Sequence, residues 1–241
     1  MISIKDLTVR FGGVTPLDHM TVDFGEGTNG LIGPNGAGKT TFFNVLSGFV
    51  RPAEGSVTVF DEDLFSMPHY RRARWGLRRT FQTEQAIEEL TIYENVLMVH
   101  EHSSKEVRAS RDEDVLGAIK FVGLTASPYA KVASLGAAER RLVEIARAVV
   151  GTPRIVLLDE PAAGLPDEET ERMGKIIQKI PGEIGALVIL VDHDMSLVSA
   201  CCSKTAVLDF GKLIADGATA DVLRDDKVKH AYLGAEAEAA A

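Results

Sequence analysis

A chain of 241 residues, 45% hydrophobic and 25% charged, has enough apolar chain for one large core or a core with a subdomain. Its formal net charge of −9 argues against a nucleic-acid binder, since such proteins carry a basic face that neutralises phosphates, so no nucleic acid is expected as a partner. No run approaches the roughly 20 apolar residues of a membrane helix, and the polar start Met1-Ile2-Ser3-Ile4-Lys5-Asp6 is no signal peptide.

The first elements read as strands. Ile2 and Ile4, then Leu7, Val9 and Phe11, alternate with polar residues, and further strand-like pieces at 20–24 and 56–60 suggest an antiparallel region. Gly30-Leu31-Ile32 is a short apolar strand entering a glycine-rich turn. Phe42, Val45, Leu46 and Phe49 then recur at helical spacing, with Gly48 as the stop. The basic residues Arg71, Arg72, Arg74, Arg78 and Arg79 read as a solvated face.

Residues 83–137 read as a helical subdomain, with 90–97 as its best apolar stretch. Leu142, Ile145, Ala146 and Val149 form a helical stripe that ends at the break Gly151-Thr152-Pro153. Ile155-Val156-Leu157-Leu158 and residues 187–191 are apolar throughout, as strands buried on both faces are. Between them a helix carries Met173, Ile176, Ile177 and Ile180 on one face and stops at Pro181-Gly182. Strands alternating with helices in this way predict a parallel sheet. The adjacent Cys201 and Cys202 cannot easily bridge each other, which points to a reducing compartment and inert thiols. Asp209-Phe210-Gly211-Lys212 reads as a hairpin turn, and the alanine-rich tail 235–241 as disordered.

The chemistry begins at Gly33-Pro34-Asn35-Gly36-Ala37-Gly38-Lys39-Thr40, which fits G-x-x-x-x-G-K-[ST]. Glycines let the backbone curl so that several N–H groups converge on phosphate oxygens, and the following helix adds its positive end. Lys39 is expected to reach the β- and γ-phosphates, the Thr40 hydroxyl to bind Mg²⁺, and Thr41 to touch the α-phosphate. The pattern alone specifies only a nucleotide, and kinases and GTPases carry it too. A second motif follows the apolar strand at 155–158. There Asp159 is placed to hold Mg²⁺ and Glu160 to act as general base toward a water molecule.

These motifs, with Gln82, the helix from Glu139 to Arg147, Asp159-Glu160-Pro161 and His193, occur in the order found in ABC transporter ATPases, which the chain resembles over nearly its whole length. The resemblance implies a single nucleotide-binding domain of the P-loop NTPase (RecA-like) fold. Such a domain has a parallel sheet core, an antiparallel β subdomain and a helical subdomain. It also implies ATP as substrate with Mg²⁺, Gln82 as a catalytic residue sensing Mg²⁺ and water, His193 on the γ-phosphate and Phe11 stacked on adenine. Within the family, "LTVRFGG" from Leu7, "GLRRTFQ" from Gly76, "ELTIYENV" from Glu89, "EPAAGL" from Glu160 and "AYLG" from Ala231 are similar to ATPases that import branched-chain or hydrophobic amino acids. Expected partners are then a second ATPase subunit and integral permease subunits, on the cytoplasmic face of the membrane.

One segment departs from the family. Its signature, Leu-Ser-Gly-Gly-Gln, contacts ATP held by the partner subunit, but here it becomes Leu135-Gly136-Ala137-Ala138-Glu139. The hydroxyl donor is lost, a methyl group sits where close approach is wanted, and Glu139 adds charge near phosphate. Ser134 would replace the hydroxyl only by a slip of one residue. In Leu165-Pro166-Asp167, proline stands where the family usually has Asp or Asn. With the residues for the chain's own ATP intact, these changes favour a different ATPase chain as partner over a second copy. The alternatives are a weakly active or regulatory ATP-binding subunit and a soluble ABC ATPase outside transport.

Overall fold

The computed structural model describes residues 1–102 and 111–239. Contacts divide the chain into two compact units, Met1–Arg72 with Ile189–Ala241, and Ala73–Val188.

The first unit begins with β1 (Ile2–Phe11) and β2 (Val14–Phe24), paired antiparallel. Their register slips after Ile4↔Val22, after Leu7↔Met20 and again after Val9↔Leu17, so β1 carries one extra residue and β2 carries two. Asp6 and His19, both at positive φ, absorb the first two slips as bulges, and Leu7, Val9, Leu17 and Met20 stay buried. The apolar β3 (Thr28–Ile32) leads through the glycine-rich turn into α1 (Lys39–Ser47), whose Phe42, Val45 and Leu46 are buried. Phe42 lies 5.9 Å from the ring of Phe24. Phe49, expected on the same stripe, lies beyond the left-handed Gly48 stop and is exposed. β4 (Glu54–Val59) pairs with β1, and β5 (Glu62–Asp63) with β4, completing a sheet of order β2-β1-β4-β5.

In α2 (His69–Trp75) the expectation of a solvated basic face fails for Arg72, which is buried. Its guanidinium donates to the Val45 and Leu46 carbonyls at 2.7 and 2.9 Å and to the Met67 carbonyl at 2.9 Å. The last carbonyls of α1 have no partner within their helix, and Arg72 supplies the missing donors. Arg71 and Arg74 remain exposed as expected.

The second unit opens with a strand that local patterning had hidden, β6 (Leu77–Arg79), parallel to β7 (Ile155–Asp159). Between them lie α3 (Ile92–His100), α4 (Arg111–Phe121) and α5 (Ala137–Val149). Thr91 and Glu94 close a capping box on α3. The helical stretch expected at 83–137 thus falls inside a unit that also holds β6 and β7. After β7, α6 (Asp167–Lys179) does not stop at Pro181-Gly182. The chain makes one further, wider helical turn, Ile180–Ile184, ended by left-handed Gly185. A wider turn tolerates a proline because the proline's missing N–H is needed by no bond of that turn.

The chain leaves the second unit within β8 (Leu187–Val191), buried throughout. Back in the first unit come α7 (Met195–Cys201), β9 (Lys204–Asp209), β10 (Lys212–Ala218), α8 (Thr219–Val222) and α9 (Asp226–Ala239). β9 runs parallel to β3 and antiparallel to β10. Parallel pairing therefore occurs in both units, β3 with β9 and β6 with β7. Residues 235–239, expected to lack structure, belong to α9; the alanines that suggested a tail are also the strongest helix formers. Residues 240 and 241 lie outside the described residues. Cys201 and Cys202 form no bridge, and burial raises both thiols, Cys201 to about 11, so neither is a reactive thiolate at neutral pH. No helix among the described residues is long and apolar enough to cross a membrane.

Candidate functional site

In the first unit the loop 33–38 joins β3 to α1 by a backbone that only glycine permits at two points. Gly33 has φ 150°, and a Cβ there would lie 2.1 Å from the Leu208 carbonyl oxygen. Gly38 has φ 109°, and its Cβ would lie 2.2 Å from that of Pro16. The loop is thus wedged against β2 and β9. Lys39 is buried with its ammonium folded back into the loop, donating to the Gly33 carbonyl at 2.5 Å and the Pro34 carbonyl at 2.9 Å. Thr40 is exposed and Thr41 half-buried, and no acidic residue occupies the first turn of α1. A free helix N-terminus with a lysine at its mouth suits an anion. Asn35 and Gly36 are exposed at the crest of the loop, and the Ala37 N–H donates to the Pro34 carbonyl at 3.2 Å.

Two other predicted residues belong to this unit. Phe11, at the end of β1, is 53% exposed and so fills no core. His193 follows β8 with its side chain 67% exposed and Nδ1 3.7 Å from an Asp192 carboxylate oxygen. Asp194 caps α7, accepting from the backbone N–H groups of Ser196 and Leu197, which fixes the chain just after His193.

The second unit carries the acidic motif. Asp159, the buried last residue of β7, accepts from Arg79 Nη2 at 2.9 Å, and its N–H donates to Thr80 Oγ1 at 3.1 Å. Arg79, expected on a solvated face, has its side chain buried, with the guanidinium 4.8 Å from the Phe81 ring centre. Arg78 is buried as well, and desolvation pulls its guanidinium down to about 10. Glu160 sits at φ 48°, unusual for a residue with a side chain, and Oε2 accepts from Gln82 Nε2 at 2.9 Å. The structure therefore brings Gln82 to Glu160. Asp159, the Gln82 amide oxygen and Thr40 are all oxygen donors, the hard ligand type that Mg²⁺ selects.

The altered signature also lies in this unit. Leu135 is buried, and Gly136 is the N-cap of α5. The Glu139 carboxylate accepts from the Gly136 N–H at 3.2 Å and caps its own helix. Ser134 makes no slip into the cap: its hydroxyl donates to the Lys131 carbonyl at 2.7 Å. Ala137 is exposed and Ala138 half-buried. Pro166 has a structural account, as the N-cap of α6 in extended conformation, where no helical N–H is required of it.

Three residues that sequence reasoning missed bind α5 to the segment after Gln82. Arg141 donates to the Gln82 carbonyl from both terminal nitrogens at 3.3 Å, Glu144 accepts from the Gln85 N–H at 2.5 Å, and Arg147 donates to the Gln85 carbonyl at 2.5 Å. Burial raises the Glu144 carboxyl, while the Gln85 N–H, Arg141 and Arg147 oppose that rise. The available signal was an acid inside Leu142-Val143-Glu144-Ile145-Ala146, a stretch otherwise apolar. Replacing Glu144 by Ala leaves the Gln85 N–H without its acceptor and removes the carboxylate that faces Arg141 and Arg147, and should cost about 3 kcal/mol. Thermal denaturation should show a fall of roughly 6–12 °C, and a smaller one for Glu144→Gln. Equal melting of wild type and Glu144→Ala would show that the cluster holds nothing.

Residues 17–163 match the family described as ABC transporter. That span takes in the glycine loop, Gln82, the signature segment and Asp159-Glu160. The chain is 32% identical over 249 residues to the high-affinity branched-chain amino acid transport ATP-binding protein LivG of Escherichia coli (strain K12), covering 97% of this chain and 98% of that protein. It is 35% identical over 238 residues to the lipopolysaccharide export system ATP-binding protein LptB of the same strain, covering 97% of each. Among solved structures, the ADP conformation of MJ1267, an ATP-binding cassette of an ABC transporter, superposes with a TM-score of 0.86 at 25% identity, covering 97% of this chain and 98% of that one.

Proposed function

Because the chain belongs to the ABC transporter family and is its ATP-binding, ATP-hydrolysing subunit, we propose that it drives uptake of branched-chain or hydrophobic amino acids from the cytoplasmic face of a membrane. The observation that carries the proposal is near full-length similarity to LivG, joined to the segments beginning at Leu7, Gly76 and Glu89 that resemble those of branched-chain or hydrophobic amino-acid importers. LptB is as similar by identity, which favours lipopolysaccharide export as the second reading. Deleting the gene and measuring uptake of labelled leucine and isoleucine separates the two. Undiminished uptake would sink the amino-acid reading, and a defect in lipopolysaccharide export would support the other.

In this reading the backbone N–H groups of Gly33, Asn35, Gly36, Ala37 and Gly38, in a loop shaped by Pro34, hold the phosphates together with Lys39, Thr40 and Thr41. Lys39 exchanges its carbonyl partners for phosphate oxygens. Phe11 offers its exposed face to adenine. Thr40, Gln82 and Asp159 hold Mg²⁺, which when bound neutralises charge developing on the phosphates. The Glu160 carboxylate takes the proton from the attacking water, and His193 donates to the transferred phosphoryl group. Permease subunits and a second ATPase subunit complete the assembly.

We further propose that the second ATPase is a different chain. Gly136 supports this, because it offers the partner's nucleotide no hydroxyl. Its φ of −69° and ψ of 166° suit serine, and a Cβ there would meet nothing within 4 Å. Gly136→Ser should therefore fold normally and raise turnover at the partner's nucleotide on the order of tenfold in the assembled complex. The chain alone should hydrolyse ATP slowly, and adding a second ATPase with an intact signature should restore turnover. Full activity of the isolated chain would argue for a homodimer.

A further inference from the structure

The hairpin between β9 and β10 turns through only two residues, Phe210 and Gly211, since Asp209 pairs with Lys212. Both lie at positive φ, 43° and 80°, the geometry of a type I′ turn. Asn-Gly or Asp-Gly meets that requirement without strain, whereas a phenyl-bearing residue at the first position is strained. Burial gives no compensation. Phe210 is 78% exposed, more than any other large hydrophobic residue described. Neither turn chemistry nor packing accounts for the ring.

Its placement supplies a reason. Gly211 donates its N–H to the Ala37 carbonyl of the phosphate loop at 3.0 Å and accepts from the Asp18 N–H at 2.9 Å. A Cβ on Gly211 would lie 2.9 Å from the carbonyl oxygens of Thr15 and Pro16, so the turn is pinned against the start of β2. Thr15 and Pro16 directly follow the β1–β2 turn that carries the exposed Phe11, paired with Val14. β9 runs parallel to β3, so the turn and the phosphate loop leave the same end of these strands, where ligands of such sheets bind. Two exposed phenyl rings thus stand on neighbouring turns beside one loop.

We infer that Phe210 is a second aromatic contact for the nucleobase of the nucleotide seated on residues 33–40, acting with Phe11. The inference rests on the nucleotide-binding reading above and deepens it. A base presents a flat apolar face that gains by stacking on an aromatic ring whatever its hydrogen-bonding pattern. The strain at φ 43° is then retained for binding rather than for folding.

Phe210→Asn tests this, because asparagine is the residue the turn prefers and the hairpin is kept. The full-length chain is titrated calorimetrically with ATP and, separately, with tripolyphosphate, which lacks base and ribose, both with Mg²⁺. Expected for Phe210→Asn are ATP binding weakened about tenfold, equivalent to about 1.4 kcal/mol, unchanged tripolyphosphate binding, and a melting temperature no lower than wild type. Phe210→Trp should restore ATP binding. Unchanged ATP affinity in Phe210→Asn, or equal weakening of both ligands, overturns the inference while leaving the nucleotide reading intact. A wild-type chain that binds neither ligand overturns both.

Discussion

Replacing Glu160 by glutamine should lower ATP turnover of the assembled complex by about 10²–10⁴-fold while nucleotide affinity stays within about twofold. As the proposed general base, the carboxylate would take a proton that an amide cannot. The rest of the environment survives the change, because the Gln82 amide that donates to Glu160 Oε2 at 2.9 Å still finds a carbonyl acceptor. The backbone at φ 48° is equally strained in both proteins, so folding stability should be the same. Steady-state hydrolysis and ATP titration on one preparation separate kcat from binding. Turnover unchanged by the substitution would show that this chain's own nucleotide is not the one hydrolysed and would overturn the asymmetric assignment.

Gly33→Ala should remove nucleotide binding and destabilise the chain by about 3 kcal/mol. The added methyl would lie 2.1 Å from the Leu208 carbonyl oxygen, a backbone atom of β9 that cannot move without breaking the β3–β9 ladder. The φ of 150° adds strain independent of that clash. The Gly33 carbonyl is also one of the two that hold the Lys39 ammonium, so a shifted peptide displaces the lysine with it. Denaturant unfolding and ATP titration together check the result. A variant that melts with wild type and binds ATP normally would show the wedge against β9 to be unimportant. Gly36→Ala, where a Cβ meets nothing within 4 Å, carries only the conformational cost of φ 80° and serves as the control.

The candidate catalytic groups were legible in the sequence because each sits at a boundary that local pattern marks. The apolar strand before Gly33, the glycine spacing to Lys39 and the apolar strand before Asp159 are one-dimensional signals, set by burial along a few consecutive residues. The family pattern then added Gln82 and His193, and the structure places Gln82 on Glu160. Legibility failed where a polar group answers a demand made far away in the chain. Arg72 read as solvated because nothing near it reveals that the last carbonyls of α1, 26 and 27 residues earlier, need donors. Arg79 is matched by Asp159, 80 residues on, and Glu144 by a peptide N–H 59 residues back.

The sequence by itself thus determined the glycine loop proposed to grip phosphate, the acids at the end of β7, and the loss of the signature hydroxyl. Each is a matter of residue type and spacing, which folding cannot change. Tertiary structure alone decided that Arg141, Glu144 and Arg147 fasten the segment after Gln82 and that Phe210 stands exposed beside the phosphate loop. These depend on which backbone groups are left unpaired or uncovered once the strands have assembled, and buried polar groups take whatever partner that assembly brings within reach.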